Sequence, residues 1–295
     1  MKNSGLGPLL MPSRTLLAPG IYDPLSALLA SQAGFESLYL SGASVAYTQL
    51  GRSDVGLVSL DNLLDIVLRI SDRVDLPLIV DADTGFGNAL NAQRTVRLLE
   101  RAGAAAIQLE DQSFPKRCGH LTGKSLVPTS DMVGKVHAAV DARESRGTLI
   151  IARTDAIAVE GLGRAIERAG AYRAAGADVL FVEAPRSLAE MRSLAAAFDD
   201  TPLMANMVEG GDTPMLDLNE LQTLGFSLAI SPGAFVRALI PMGQAFFASL
   251  REAGSTLPFR NRMTDLRGVN ECIGTAELLA QGSLYDPAIE AAFSP

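Results

Sequence analysis

The chain has 295 residues, 48% of them hydrophobic, and a formal net charge of −8. That is enough apolar material for one large core or two small ones. The acidic balance argues against nucleic acid or an anionic membrane as the main partner, but leaves room for a small anionic substrate held by local cations. The first apolar run is 16–18, closed by Pro19-Gly20, and Asp23 is placed to cap a helix over 24–33. A second run, 37–40, ends in Ser41-Gly42-Ala43; a polar stretch around 51–55 and a helix near 60–74 follow. The third run, 77–80, delivers Asp81 and Asp83, and the fourth, 104–109, delivers Glu110 and Asp111, with a helix-like segment between them. The fifth, 148–152, ends in Arg153-Thr154-Asp155 and the sixth, 178–182, in Glu183-Ala184-Pro185. The seventh, 202–205, ends in Asn206, and the eighth, 226–230, in Ser231-Pro232-Gly233. Helical patterns at 131–146, 162–175, 188–198, 218–224 and 234–253 separate or follow these runs, and glycines at 34, 103, 147, 176 and 225 sit where helices stop.

Eight buried runs alternating with helices over the first 256 residues predict a (β/α)8 barrel. A doubly wound open sheet is the competing architecture, but Ala18-Pro-Gly-Ile-Tyr-Asp23 is a poor glycine-rich phosphate turn. The polar residues fall at the C-terminal ends of the runs, the face where barrel active sites lie. Residues 257–295, with helical patches at 269–280 and 287–293, are too few for a second core and are expected to pack on the barrel or a neighbouring subunit. No apolar run approaches the ~18 residues of a membrane span. The N-terminus lacks a secretory signal pattern, and Cys118 and Cys272 lie in dissimilar contexts, so no disulfide is expected and a reducing cytoplasm fits.

Asp81 and Asp83 lie two apart, so on a regular strand both would face the same side. With Glu110 they read as oxygen ligands for Mg²⁺ or Mn²⁺; the competing reading is helix capping. Lys116-Arg-Cys-Gly-His120 is either a solvated basic loop or a flap whose thiol, among cations, acts on a bound substrate. Arg153 and Arg237 are candidates for gripping a substrate carboxylate, although Arg237 also suits a plain surface position. Glu183 is placed to pair with Arg153 or to hold a water. His137 reads as a half-buried helix residue.

Taken together, Ser41-Gly42, Asp54, DADTGFGN (81–88), LEDQ (109–112), PKRCGHLTGK (115–124), IARTDA (151–156), VEAP and NMVEGGDTP (206–214) resemble the isocitrate lyase/phosphoenolpyruvate mutase superfamily over nearly the whole chain. The resemblance implies a (β/α)8 barrel, Mg²⁺ dependence, and a homotetramer whose subunits exchange C-terminal helices. The KRCGH loop is similar to the lyase branch, where it gates the site and its cysteine is a general acid. The implied catalytic set is Cys118, Glu110, Arg153 and His120. The implied substrate contacts are Ser41, Gly42, Ala43, Asp54, Lys116, Gly119, Glu183, Asn206 and Arg237, with Asp81, Asp83 and Glu110 at the metal. Leu121 stands where methylisocitrate lyases carry an arginine, and Met207-Val-Glu-Gly-Gly211 follows Asn206. Both departures look more like 2,3-dimethylmalate lyase, the malate- and oxaloacetate-cleaving enzymes and carboxyphosphonoenolpyruvate mutase. The implied activity is therefore cleavage of a substituted 2-hydroxy dicarboxylate to a 2-keto acid and a carboxylic acid, with a phosphonate mutase or methylisocitrate lyase as alternatives.

Overall fold

The computed structural model describes residues 5–119 and 123–286. Eight strands, β1 (Leu16–Ile21), β2 (Leu38–Leu40), β3 (Leu78–Asp81), β4 (Ala104–Glu110), β5 (Leu149–Thr154), β6 (Val179–Val182), β7 (Leu203–Asn206) and β8 (Leu228–Ser231), close into one parallel barrel in sequence order. β1 seals it by pairing with β8 from Leu16↔Leu228 to Pro19↔Ser231. The first strand therefore runs through Pro19-Gly20 instead of stopping there. Gly20 is required because a Cβ would fall 2.0 Å from the carbonyl oxygen of Pro232, inside the seam.

The helices are α1 (Pro24–Gln32), α2 (Gly42–Val45), α3 (Leu60–Arg73), α4 (Ala89–Ala102), α5 (Thr129–Ala142), α6 (Ala156–Glu160), α7 (Leu162–Ala174), α8 (Leu188–Ala197), α9 (Leu218–Leu224) and α10 (Ala234–Ala253). Asp23 caps α1 by accepting from Ser26 N, as its position predicts. α2, which passes into a π-turn over Ala46–Leu50, and the single-turn α6 are the two that the periodicity does not reveal, being too short to show a stripe. Gly34, Gly103, Gly176 and Gly225 take positive φ after helices; Gly147 does not, because α5 already ends at Ala142. On α5 the core face is Met132, Lys135, Val136 and Ala139, which turns His137 outward instead of half burying it.

Two apolar layers hold the barrel. The inner one contains Leu16, Ala18, Tyr39, Ile79, Ala106, Ile151, Val179, Phe181, Met204, Leu228 and Ile230, and Leu6 joins it from the N-terminal segment. The outer one joins strands to helices through residues such as Val80, Leu109, Val136, Leu180 and Leu221. Each core-facing Leu or Ile contributes ~1.5–3 kcal/mol. Along the inner layer the two-residue strand period leads directly to the site. Ile79 gives way to Asp81, Ala106 to Gln108 and Glu110, Ile151 to Arg153, Phe181 to Glu183, and Met204 to Asn206.

The compact units are Met1–Val236 and Arg237–Pro295, so the division falls near the start of α10 and not at the expected residue 257. Within the second unit, α11 (Leu266–Ile273) and α12 (Thr275–Ser283) meet at Gly274, which is left-handed and breaks the single helix expected over 269–280. The expected patch at 287–293 lies outside the described residues. No helix among the described residues is long and apolar enough to cross a membrane.

Candidate active site

Buried charge concentrates at the C-terminal ends of β3 to β7. Asp54, Asp81, Asp83, Glu110, Asp155 and Glu183 are all buried there, against the buried cations Lys116, Lys124 and Arg153. Carboxylates thus outnumber cations, an arrangement that needs further positive charge to be stable.

Asp81 ends β3 with its Oδ1 accepting from Gln108 Nε2 at 3.1 Å and from Asp83 N at 3.2 Å; Gln108 in turn accepts from the Tyr39 hydroxyl at 3.0 Å. Asp83 is beyond the strand, with φ +48°, so a turn rather than strand alternation brings it beside Asp81. Both carboxylates border the space at Gly42, where an added Cβ would meet Asp81 Oδ2 at 3.3 Å and Asp83 Oδ1 at 3.4 Å. Neither caps the next helix, since Asn88 and Asn91 form that capping box; the capping reading fails. Lys116 pairs with Asp83 Oδ1 at 2.7 Å and with Asp54 Oδ1. Burial, only partly offset by Lys116, pushes the Asp83 carboxyl up to about 7. Glu110 is pushed well above the usual range by burial, against the pull of Arg153 and Lys116.

Arg153 is the hub of the other side. Its Nε donates to Asp155 Oδ2 at 2.9 Å and lies 3.4 Å from Glu110 Oε2, and its Nη2 reaches Asp155 Oδ1 at 3.2 Å and Glu183 Oε2 at 3.1 Å. The guanidinium lies 5.0 Å from the Phe181 ring centroid. Burial alone would lower the Arg153 pKa, but Asp155, Glu183 and Glu110 outweigh it and hold the charge firmly. Asn206 donates to both Glu183 oxygens, at 3.1 and 3.3 Å, and Ala184 N donates to Glu183 Oε1 at 2.9 Å. Glu183 therefore takes the expected pairing with Arg153.

The loop after β4 leaves and returns through a fixed neck. Ser113 N donates to Ser125 O at 2.8 Å, Val127 N to Asp111 O at 2.9 Å, and the Gln112 side chain clasps both Arg117 N and Arg117 O, at 2.9 and 2.8 Å. Gly119 rests on the Arg153–Glu183 pair so tightly that a Cβ would lie 2.5 Å from Arg153 Nη2. Cys118, next to it, is half-buried and not in a disulfide. His120 and Leu121 lie outside the described residues.

Ser41 Oγ accepts from Ser44 N as the cap of α2, which leaves its O–H as a donor, and Gly42 and half-buried Ala43 follow it. Arg237 belongs to the second compact unit. Beside Asp83 and Lys116 opens a largely apolar cavity of about 660 Å³, walled by Leu57, Val58, Phe86 and Phe114 and by Lys135.

Two buried residues of the site, Asp111 and Lys124, lie within the quoted motifs but were given no role by them. Asp111 accepts from Thr154 Oγ1 at 2.6 Å, Asp155 N at 3.0 Å and the Tyr172 hydroxyl at 2.8 Å. Lys124 donates to Asp155 Oδ1 at 2.9 Å and to the carbonyl of Gly119. The only sequence signal for these is position at a strand end or in the KRCGHLTGK stretch.

Whether the acids could hold a metal rests on two atoms. Glu110 Oε1 and Asp83 Oδ1 are buried without a hydrogen bond of normal geometry, although Asp83 has its ion pair to Lys116. Hard oxygen donors left over at a site short of positive charge fit Mg²⁺ or Mn²⁺. Among the described residues no three acidic, His or Cys side chains enclose a metal by themselves, so water and substrate would complete its shell.

The phosphoenolpyruvate phosphomutase family profile matches residues 6–251. The chain belongs to that family. Among family relatives, a 2-methylisocitrate lyase of Aeropyrum pernix is 49% identical over 240 residues, covering 81% of this chain and 77% of its own. The crystal structure of 2,3-dimethylmalate lyase, described as a PEP mutase/isocitrate lyase superfamily member, superposes with a TM-score of 0.89 at 35% identity, covering 95% of both chains. A phosphonopyruvate hydrolase solved in complex with oxalate and Mg²⁺ superposes with a TM-score of 0.86 at 30% identity, covering 97% of this chain and 99% of that one. The barrel and superfamily implied by the motifs are thereby established for this family member.

Proposed function

We propose that this chain is a Mg²⁺-dependent carbon–carbon lyase. It cleaves a methyl-substituted 2-hydroxy dicarboxylate of the 2,3-dimethylmalate kind to a 2-keto acid, such as pyruvate, and a carboxylic acid. The observation that carries the reading is the surplus of buried carboxylate at the rim, where Glu110 Oε1 is left without a hydrogen bond and Asp83 Oδ1 has only its ion pair to Lys116. Asp81, Asp83 and Glu110 would hold the metal, with Mn²⁺ able to replace Mg²⁺. A divalent ion there supplies Lewis acidity to the substrate's 2-oxy group and adjoining carboxylate.

The chain's own residues do the rest. Arg153, held in place by Asp155 and Glu183, would offer its guanidinium to a substrate carboxylate. Gly42 and Ala43 bound the substrate on the β2 side, and Glu183 and Asn206 on the β6 and β7 side. The 2-hydroxyl would give up its proton to solvent and become the keto oxygen as the C2–C3 bond breaks; the bond's electron pair passes to the departing enediolate, whose charge Arg153 would offset. Cys118 delivers a proton to its carbon, and Lys116 keeps Asp54 and Asp83 compensated. The family resemblance also assigns a catalytic role to His120 and a substrate contact to Arg237.

A tricarboxylate brings one more charge that needs a donor. Leu121 offers none, and Gly210, with open space around it, contributes backbone alone. Leu121 suits an apolar substituent, where each buried methylene is worth ~0.8 kcal/mol. The second reading, 2-methylisocitrate cleavage, is favoured by the 49% identity to the Aeropyrum enzyme. Steady-state release of keto acid from both substrates with Mg²⁺ separates them. The expected bias in kcat/KM is ~10²-fold or more toward the dimethylmalate, from an unpaired carboxylate. Equal or better turnover of 2-methylisocitrate would overturn the dicarboxylate reading, and activity undiminished by EDTA would overturn the metal. We extend the reading to a cytoplasmic homotetramer, for which light scattering on the purified protein is the direct measurement. A small anionic substrate is then its partner, with neither nucleic acid nor membrane.

A further inference from the structure

Asp155 sits where a helix cap belongs and does not act as one. It is the residue before α6, a position at which an aspartate usually accepts from the first backbone N–H groups of the helix. Its side chain makes no such bond. Both oxygens are instead committed to cations: Oδ2 to Arg153 Nε at 2.9 Å, and Oδ1 to Arg153 Nη2 at 3.2 Å and Lys124 Nζ at 2.9 Å. The carboxylate is fully buried, so these charge-assisted bonds are not diluted by water. Its backbone is fixed as well, since Asp155 N donates to Asp111 Oδ1 at 3.0 Å and Asp111 is held by Thr154 and Tyr172.

Lys124 carries the connection to the loop. Besides Asp155 it donates to the carbonyl of Gly119, where an added Cβ would lie 2.5 Å from Arg153 Nη2 and 2.6 Å from Glu183 Oε2. One carboxylate thus holds the guanidinium from one side and, through an ammonium, the peptide next to Cys118 from the other. The geometry points to Asp155 as a positioning residue, acting with Lys124, that sets where the Cys118–Gly119 peptide sits over the Arg153–Glu183 pair. The consequence for turnover rests on the proposed lyase reaction; the positioning itself does not.

The test therefore has an arm that needs no substrate. Alkylation of Cys118 by iodoacetamide is followed by peptide mass in wild type, Lys124→Met, Lys124→Arg and Asp155→Asn. Rates are taken on the high-pH plateau, where the thiol is fully ionised and access alone is read. Lys124→Met and Asp155→Asn should alkylate at least ~5-fold faster than wild type, and Lys124→Arg within ~2-fold of it, because arginine can still donate to both acceptors. With a substrate that turns over, Lys124→Met should lower kcat ~10-fold with KM within ~3-fold, whereas Asp155→Asn, which also frees Arg153, should raise KM as well. Three results overturn the proposal: Lys124→Met at or below ~2-fold of the wild-type plateau, equal acceleration in Lys124→Met and Lys124→Arg, or a folded Asp155→Asn with wild-type access. If no 2-hydroxy dicarboxylate is cleaved by the wild type, the lyase reading fails while the alkylation arm still decides this one.

Discussion

Gly119→Ala is the most local perturbation the site permits. The added methyl would lie 2.5 Å from Arg153 Nη2, 2.6 Å from Glu183 Oε2 and 2.8 Å from Glu183 Cδ. Each is close to 1 Å inside a normal ~3.5 Å contact. Gly119 does not have a positive φ, so the backbone accepts alanine and the whole effect is steric. Something must move: either the loop lifts or the Arg153–Glu183 pair opens. Breaking a buried pair outright costs ~3–5 kcal/mol. A displacement that forfeits about half of this, ~1.5–2.5 kcal/mol, corresponds to a loss of ~13- to 70-fold in kcat/KM if the arrangement is also that of the reacting complex. The control is Gly134→Ala on α5, where nothing lies within 4 Å of the added Cβ. It should stabilise by ~0.5–1 kcal/mol through helix propensity and leave kinetics alone. Thermal melts and steady-state kinetics on both variants are required. Gly119→Ala with kcat/KM within threefold of wild type would refute the claim that this close packing belongs to the working site.

Cys118→Ser should lower kcat by ~10²-fold or more with KM little changed, the usual scale for a lost general acid; a variant within a few-fold of wild type makes the thiol dispensable. Lys116→Met leaves Asp54 and Asp83 buried without their shared counter-charge and should cost ~3–5 kcal/mol in metal-free buffer. Mg²⁺ should then raise the variant's melting temperature more than the wild type's, and an equal response in both counts against Asp83 as a ligand. For Asp155, burial would raise the carboxyl pKa, but Arg153 and Lys124 outweigh it and hold it below the ordinary 3.8. Its stabilisation is therefore complete above that unfolded value and lost as pH falls through the lower folded one. The stability gap between wild type and Asp155→Asn should accordingly narrow below about pH 4, and a gap that stays constant down to acid unfolding contradicts the pairing.

The barrel was legible because every strand is a short apolar run ending in a polar residue, and the two-residue period makes that residue point inward. Asp81, Glu110, Arg153, Glu183 and Asn206 could all be placed on that ground alone. Asp83 could not, because its approach depends on a turn at φ +48° and not on strand geometry. The Lys116–Asp54 pair joins two loops whose paths no local pattern specifies. Asp155 was given no role because its cation partners, Arg153 and Lys124, come together only through the folding of β5 against the loop after β4. The inner role of Leu6 was equally unreadable, because Leu6, Leu9 and Leu10 stand in a short segment broken by Gly5, Gly7 and Pro8 and precede the first strand.

The seam between β1 and β8 has a bearing on how the molecule is made. Parallel neighbours elsewhere in the barrel meet soon after synthesis, each one helix downstream of the last. Gly20 and Ile21 pair early with β2, but Leu16 to Pro19 meet their strand partners when Leu228 to Ser231 leave the ribosome. Through most of translation the nascent sheet is open, with one edge of β1 bare and Gly20 facing no carbonyl. Closure is a long-range event that is slow by topology, and it falls at the end. Substitutions at Gly20 should therefore reduce the yield of folded protein during synthesis more than they accelerate unfolding of molecules already closed.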